Sequence, residues 1–176
     1  MYNLSSEQIK LIKQIEVAFK DDPKREESAT TLHQAVAIDD CLLENEQFEA
    51  RKFDKDNYWQ GVPENFIKKI PSPFSFLNIQ GKRYYLPAYM RFCVKNKIKY
   101  FPISLHAADM LVYCLYQWPD NNGEMLNPPV KEIARSLKLN KNQCRVIFHF
   151  LKFSKESAIE NPYLITALKE WQELAE

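Results

Sequence analysis

Apolar residues recur at helical spacing near the start of the chain. Positions 11, 12, 15, 18 and 19 are apolar and would form one stripe along an α-helix. Ser5 precedes this stripe and Gln8 lies three residues after Ser5, which is the spacing of a capping box at a helix N-terminus. Because the residue before a proline avoids the helical region, the helix should stop near Asp21, Asp22 and Pro23.

A second helix is predicted to begin at Thr30 or Thr31. Its apolar residues can share one face, and they are Leu32, Ala35, Val36, Leu42 and Leu43. The other side carries five acids, which are Asp39, Asp40, Glu44, Glu46 and Glu49. The pattern is typical of a surface helix that turns its apolar side toward the core.

Two prolines indicate where further helices start. Proline lacks an N–H group and has a fixed φ, so it suits the first turn of a helix. Pro63 would open a short helix through Ile70, and Pro87 a longer one through about Lys95. Tyr84 and Tyr85 would then lie just before the second helix, with one ring packed inward and the other facing solvent or a partner.

The second half of the chain predicts four more helices. Ser104 would cap the first, and the next would cover about residues 130–137. Asn140 would cap a helix through about Phe153, and Asn161 a C-terminal helix over 161–175 with Pro162 at its first position. Residues 118–129 are predicted to form a loop. No stretch alternates as a strand would, so we predict an all-α bundle of about six to eight helices.

Composition agrees with one helical domain over residues 1–176. Hydrophobic residues make up 45% of the 176 residues, enough for a core, and the 3 glycines are few for the tight turns of an all-β fold. The N-terminus does not resemble a signal peptide, and no apolar stretch approaches the roughly 20 residues that cross a bilayer. We therefore expect a cytoplasmic protein with no membrane partner.

The residues that usually carry chemistry form no recognisable site. The four cysteines are widely spaced without a C-x-x-C pair, and no two of the three histidines lie at ligand spacing. The glycine-rich phosphate loop, G-x-S-x-G and H-E-x-x-H are all missing from the sequence. We therefore expect no enzyme activity, cofactor or metal. The alternative is an enzyme whose site is assembled from distant residues.

Charge is segregated along the chain. Residues 1–64 hold 14 acids and 8 bases, residues 65–108 hold 8 bases and no acid, and residues 109–176 hold 9 acids and 8 bases. The basic middle, residues 65–108, is also rich in aromatics. It could pack internally, with the acidic second helix against it and its aromatics in the core, dock an acidic protein, or bind single-stranded nucleic acid. The residues that we expect to bind a partner there are Arg83, Tyr84, Tyr85, Arg91 and Lys95.

Residues 130–151, VKEIARSLKLNKNQCRVIFHFL, resemble a helix-turn-helix unit. Its second helix would direct three polar residues toward nucleic acid, namely Lys141, Asn142 and Arg145. Lys138 occupies the position in the turn where glycine is usual, and would need a left-handed or an adjusted backbone at some cost. Three apolar residues fall on the side that should face DNA, which are Val146, Phe148 and Phe150. Two ordinary packed helices are therefore the alternative.

Residues 74–90, FSFLNIQGKRYYLPAYM, resemble the core motif of a family of small, uncharacterised bacterial proteins. Residues 17–19, Trp59 and the segment 142–151 also resemble that family, and the likeness covers about residues 9–153. The C-terminal helix at 161–175 would be appended to this core. The resemblance implies no activity, since the family is a domain of unknown function. It implies that the helix containing Gln143 closes the domain, which favours packing over DNA reading.

Together these features favour a non-enzymatic protein that binds another macromolecule. The expected partner is a protein, with an acidic one best suited to the basic middle. An immunity-type or accessory role in bacterial competition or defence would suit a small helical protein of this kind. The alternatives are a DNA- or RNA-binding protein that uses residues 130–151, and an enzyme with an unrecognised site.

Overall fold

The described part of the chain is all-α, as predicted. The computed structural model describes residues 3–22, 24–96, 111–116, 124, 127–155 and 162–176, and none of these forms a strand. The α-helices are α1 (Ser6–Ala18), α2 (Leu32–Asp39), α3 (Glu44–Arg51), α4 (Glu64–Lys69), α5 (Ile79–Asn96), α6 (Val130–Ser136), α7 (Lys141–Lys155) and α8 (Pro162–Ala175). Short 3-10 helices cover Trp59–Gly61 and Pro73–Ser75. No helix of the described segments is both long enough and apolar enough to cross a membrane.

Two helix starts are confirmed in atomic detail. The Ser5 hydroxyl accepts the Gln8 N–H at 3.1 Å, and the Gln8 side-chain oxygen accepts the Ser5 N–H at 2.9 Å. Asn140 and Gln143 repeat this reciprocal pair at the start of α7, with both distances 3.0 Å. The Gln8 amide also donates to the Val94 carbonyl at 2.7 Å, so the cap of α1 is joined to α5.

The prediction that the apolar residues from Leu32 to Leu43 share one helix face was wrong. α2 ends at Asp39, and Cys41 adopts a left-handed backbone with φ 54°. The N–H of Leu42 then bonds to the Ala37 carbonyl at 2.9 Å, which closes a Schellman motif. Leu42 and Leu43 consequently lie outside the helix, 41% and 70% exposed.

The start predicted for the helix at Pro87 was also wrong. α5 begins at Ile79, where the Asn78 side-chain oxygen accepts the Gly81 N–H at 2.9 Å as an N-cap. Pro87 lies inside the helix and is buried, so the Arg83 carbonyl has no N–H to accept from that position. Tyr84 and Tyr85 are therefore helical residues, and both rings are buried rather than one.

α5 is the central helix of the domain. Twelve of its residues are buried, and it packs against α1, which packs in turn against α7. α8 packs against α7 and α6, while α3 packs chiefly against α2. Two buried tryptophans fasten the outer elements, since Trp59 donates to the Phe19 carbonyl and Trp171 to the Leu115 carbonyl, each at 2.8 Å.

Several predictions fall wholly or partly outside the described residues. The Ser104 cap, most of the loop at 118–129 and the Asn161 cap are among them. Of the apolar residues expected after Ser104, Leu111, Val112 and Leu115 are described and are buried. The helices at 130–137 and around Asn140 are confirmed with end points within two residues of those predicted.

Candidate functional site

The two tyrosines of the 74–90 motif belong to a polar cluster under α5. The Arg25 guanidinium donates to the Tyr85 hydroxyl at 3.0 Å and to a carboxylate oxygen of Asp56 at 3.1 Å. Tyr84 donates to that same Asp56 oxygen at 3.1 Å. Arg25 also donates to the Asp54 carbonyl. The cluster therefore fastens the chain on either side of α2 and α3 to the central helix.

Asp54 extends this cluster to the first turn of α2. One carboxylate oxygen accepts the His33 backbone N–H at 2.9 Å, and the other lies 2.9 Å from the imidazole Nδ1. The Asp54 side chain is fully buried. A carboxylate that accepts from both backbone and ring holds His33 in one orientation, where the imidazole also meets the edge of Phe66 at 4.6 Å between centroids.

The electrostatics of the cluster indicate a structural role. Burial raises the pKa of the Asp56 carboxyl, more than Arg25 and the Tyr84 hydroxyl lower it. The second oxygen of Asp56 is buried without a hydrogen-bond partner, which adds to the cost of its charge. Burial and the neighbouring Asp56 also raise the pKa of the Tyr84 and Tyr85 phenols, so both stay protonated. A protonated phenol donates hydrogen bonds but does not act as a base.

Arg83, another predicted binding residue, joins three segments of the chain. Its guanidinium donates to Asp22 at 2.9 Å and to the carbonyls of Leu137 and Lys138 at the end of α6. Asp22 also accepts the Gln143 side-chain amide at 2.8 Å. The adjoining cleft, which Tyr84 also lines, has a volume of only about 50 Å³. A space of that size suits ordered water rather than a substrate.

Arg91 and Lys95 are likewise engaged within the chain. Arg91 stacks over the Trp59 ring at 5.0 Å, donates to the Gln60 carbonyl at 2.9 Å and lies 4.0 Å from Glu16. Lys95 pairs with Glu64 at 2.6 Å. Acids of the first 64 residues therefore neutralise several bases of the basic middle. A partner-binding role for these residues stays a prediction.

The helix-turn-helix segment contains a turn between α6 and α7, but other helices of the domain pack against its second helix. Lys138 adopts φ 49°, the left-handed backbone that its position requires. Lys141, Asn142 and Arg145 are exposed, but the Arg145 guanidinium is bonded to Asn142 at 3.2 Å and to the Ala175 carbonyl at 2.8 Å. α1 and α8 both pack against α7, so Val146 and Phe150 are buried in the domain. Nucleic-acid contact by the three exposed residues stays a prediction.

The α2–α3 hairpin, residues 32–53, is the most apolar exposed region of the described chain. α3 has no buried residue. Leu43, Phe48 and Phe53 are 70%, 61% and 65% exposed, and acids lie between them at Glu44, Glu46 and Glu49. Arg51 holds the hairpin to the domain by donating to the Ala29 carbonyl at 2.7 Å and to the Glu27 carbonyl.

Sequence reasoning did not identify Arg25, Asp54 or Asp56. Their partners lie 21 to 60 residues away in the chain, so no local spacing marks them. The exposure of Leu43 was missed because it depends on the left-handed turn at Cys41. Among the described residues, no group of three or more His, Cys, Asp or Glu side chains could hold a metal ion.

Comparison with known proteins identifies the family but no activity. Neither a curated protein nor a solved structure gave a significant match. The family model that matches spans residues 7–173, which takes in the 74–90 motif and most of α8 beyond the 9–153 core. The chain therefore belongs to the "Family of unknown function (DUF6714)".

Proposed function

We propose that the protein is a non-enzymatic binding protein that engages another protein through the α2–α3 hairpin. The observation that carries this proposal is a complete helix, α3, that buries no residue in its own domain. Single exposed apolar residues are common on any protein. A helix that contains one large, mostly exposed apolar side chain and is flanked by two more is better explained by a partner that covers them.

The charge of the hairpin indicates the chemistry of the partner. Protein interfaces commonly place apolar anchors at the centre and charged groups at the rim. Leu43, Phe48 and Phe53 supply the anchors, and the glutamates of α3 supply a negative rim. The proposed partner surface is therefore apolar with basic groups around it, rather than acidic as the basic middle led us to expect.

The cellular role that we propose is the immunity-type or accessory role in bacterial competition or defence. Such a protein acts by occupying a partner's surface and needs no catalytic groups of its own. All four cysteines are free thiols, which suits a reducing compartment, and we infer the cytoplasm.

Affinity capture with paired variants tests this proposal. The Leu43→Ser/Phe48→Ser pair removes two exposed anchors, while Ile9→Ser/Ile165→Ser removes two apolar residues that are 55% and 39% exposed elsewhere. The partner captured by wild type is purified, and its affinity for each variant is measured by calorimetry. We expect at least a tenfold loss for the hairpin pair and less than twofold for the control pair. Equal losses in the two pairs would contradict the proposal.

A further inference from the structure

Two adjoining pockets of about 630 Å³ and 280 Å³, which share Lys10, Gln14 and His149, form a groove between α1 and α7 on another face of the domain. The two helices are antiparallel, because Glu7 shares one end of the groove with Lys152 and Asp21 shares the other with Asn142. Ten residues of α7 separate these ends, a length of about 15 Å at the usual rise of an α-helix.

The charged side chains that line the groove are mainly positive, with four bases against two acids. Lys10 and Lys13 come from α1, and Arg145 and Lys152 come from α7, while the acids Glu7 and Asp21 lie near the two ends. Among the described residues, no carboxylate lies within ion-pair distance of any of the three lysines. In this they differ from Arg83, Arg91 and Lys95 of the basic middle, which have carboxylate partners.

His149 lies in the middle of this groove. Its Nδ1 is 3.1 Å from the Gln14 side-chain oxygen. Burial and the positive charges of Lys10, Lys152 and Arg145 lower the pKa of the imidazole. Three other charged groups line the groove, namely Glu7 and Lys13 on α1 and Asp21 just after that helix. An anion placed between these cations would offset their charge and would favour the protonated imidazole.

We propose that the α1–α7 groove binds the phosphate backbone of a single nucleic-acid strand. The two cations on α7, Arg145 and Lys152, are seven residues apart, about two turns, and His149 lies between them, so the row follows the helix instead of converging on one point. A row of that kind matches a polymer of phosphates better than one phosphate group. Because the groove is concave between two helices, it accepts a strand, whereas a duplex major groove receives a protruding helix.

Fluorescence anisotropy with a labelled oligothymidine of about 15 nucleotides tests the proposal. Contact with four phosphates predicts that log K falls against log salt with a slope of roughly −3. Lys10→Ala/Lys152→Ala should weaken binding at least tenfold and reduce that slope by roughly 1.4. The matched control is Lys55→Ala/Lys69→Ala, which removes the same charge from positions outside the groove and should change the affinity less than twofold.

Two further readouts distinguish binding in the groove from binding elsewhere on the protein. The pKa of His149, followed by NMR, should rise when the strand binds. The Leu43→Ser/Phe48→Ser variant should bind the strand with the affinity of wild type, because the hairpin is a separate surface. If the protein binds a duplex more tightly than a single strand, and if Lys141→Ala weakens that binding, the groove proposal is wrong and the helix-turn-helix segment binds the nucleic acid. Lack of strand binding at low salt, an unchanged His149 pKa, or equal losses in both lysine pairs would also overturn it.

Discussion

Gly81 is the residue on which the fit of α5 against the segment before α2 depends. A Cβ atom at this position would lie 2.5 Å from the Thr30 carbonyl oxygen, and 3.2 Å and 3.3 Å from side-chain atoms of Leu77 and Asn78. The Asn78 side-chain oxygen accepts the N–H groups of both Gly81 and Thr30, at 2.9 Å and 3.0 Å. The glycine of the 74–90 motif is therefore required for close packing of backbone on backbone.

Gly81→Ala should lower the free energy of unfolding by about 1–3 kcal/mol, because the backbone at Thr30 must move to admit a methyl group. Urea denaturation monitored by tryptophan fluorescence measures this. Gly61→Ala is the control, since no atom lies within 4 Å of the added Cβ there, and its effect should stay within about 0.5 kcal/mol. Similar losses for both variants would rule out close approach as the reason for Gly81.

Single residues were predictable only where their partners are local. Ser5 and Gln8 were identified because both halves of the cap lie within one turn of helix. The motif singles out Tyr84 and Tyr85, but their burial depends on Arg25 and Asp56, which the fold brings from distant parts of the chain. Linear spacing carries no information about contacts of that kind.

At the scale of elements, α2 and α6 end in the same way without the usual glycine. Cys41 and Lys138 have φ of 54° and 49°, and the following residues, Leu42 and Leu139, bond back to Ala37 and Ala134, each at 2.9 Å. The left-handed backbone costs a residue with a Cβ roughly 1–2 kcal/mol. At both helix ends, a residue with a Cβ therefore adopts a positive φ although negative φ values are sterically favoured.

Lys138→Gly should raise the free energy of unfolding by about 1 kcal/mol, because glycine adopts a positive φ without the steric cost of a Cβ. Thermal and urea denaturation of the two proteins would show the gain. Lys138→Ala serves as the control, since it removes the same side chain but keeps the Cβ, and should give no gain. Equal stabilisation by both substitutions would mean that the lysine side chain, not its backbone, is responsible.

The bounds of a helix were predicted well where a capping motif and the apolar periodicity agree. They were predicted poorly where a single proline was the only evidence for a helix start. α1 and α7 each have a reciprocal cap followed by an apolar stripe. Pro87 alone predicts a helix start, but the Asn78 cap lies nine residues earlier and most of α5 is buried. Burial of so much apolar surface outweighs the one backbone hydrogen bond that an internal proline removes.

At the scale of the whole molecule, folding redistributes the charge that the linear sequence separates. Three acids of residues 1–64 pair with bases of the basic middle, and the pairs are Asp22 with Arg83, Glu16 with Arg91 and Glu64 with Lys95. The cations that line the α1–α7 groove come instead from the two ends of the chain. Counting charges along a sequence cannot predict such a face, because its members are set by helix packing.

The Asp22 pair has a consequence for stability against pH. Burial raises the pKa of Asp22 above its ordinary 3.8, more than Arg83 and Gln143 lower it. Above pH 3.8 the folded protein then holds more protons than the unfolded chain. The contribution of Asp22 to stability therefore falls as the pH rises from 3.8 through the raised pKa of the folded state. Asp22→Asn keeps an acceptor oxygen for both donors but cannot ionise.

Wild type should therefore lose stability relative to Asp22→Asn as pH rises from about 4 through the raised pKa of Asp22. Urea denaturation of both proteins at several pH values gives the difference directly. A difference that stays constant over this range, or that moves in favour of wild type, would contradict burial as the dominant influence on Asp22.

The lack of buried residues in α3 also bears on how the protein can vary and be regulated. A helix with no buried residue can detach by breaking its packing against α2 and the Arg51 contacts with Gln34 and with the Ala29 and Glu27 carbonyls, while the core around α5 stays intact. Substitutions in α3 should disturb the packing of the domain little, so their effects should be on partner binding instead. Of the described segments, the hairpin is therefore the one that a protease should cut first in the free protein, and a bound partner should protect it.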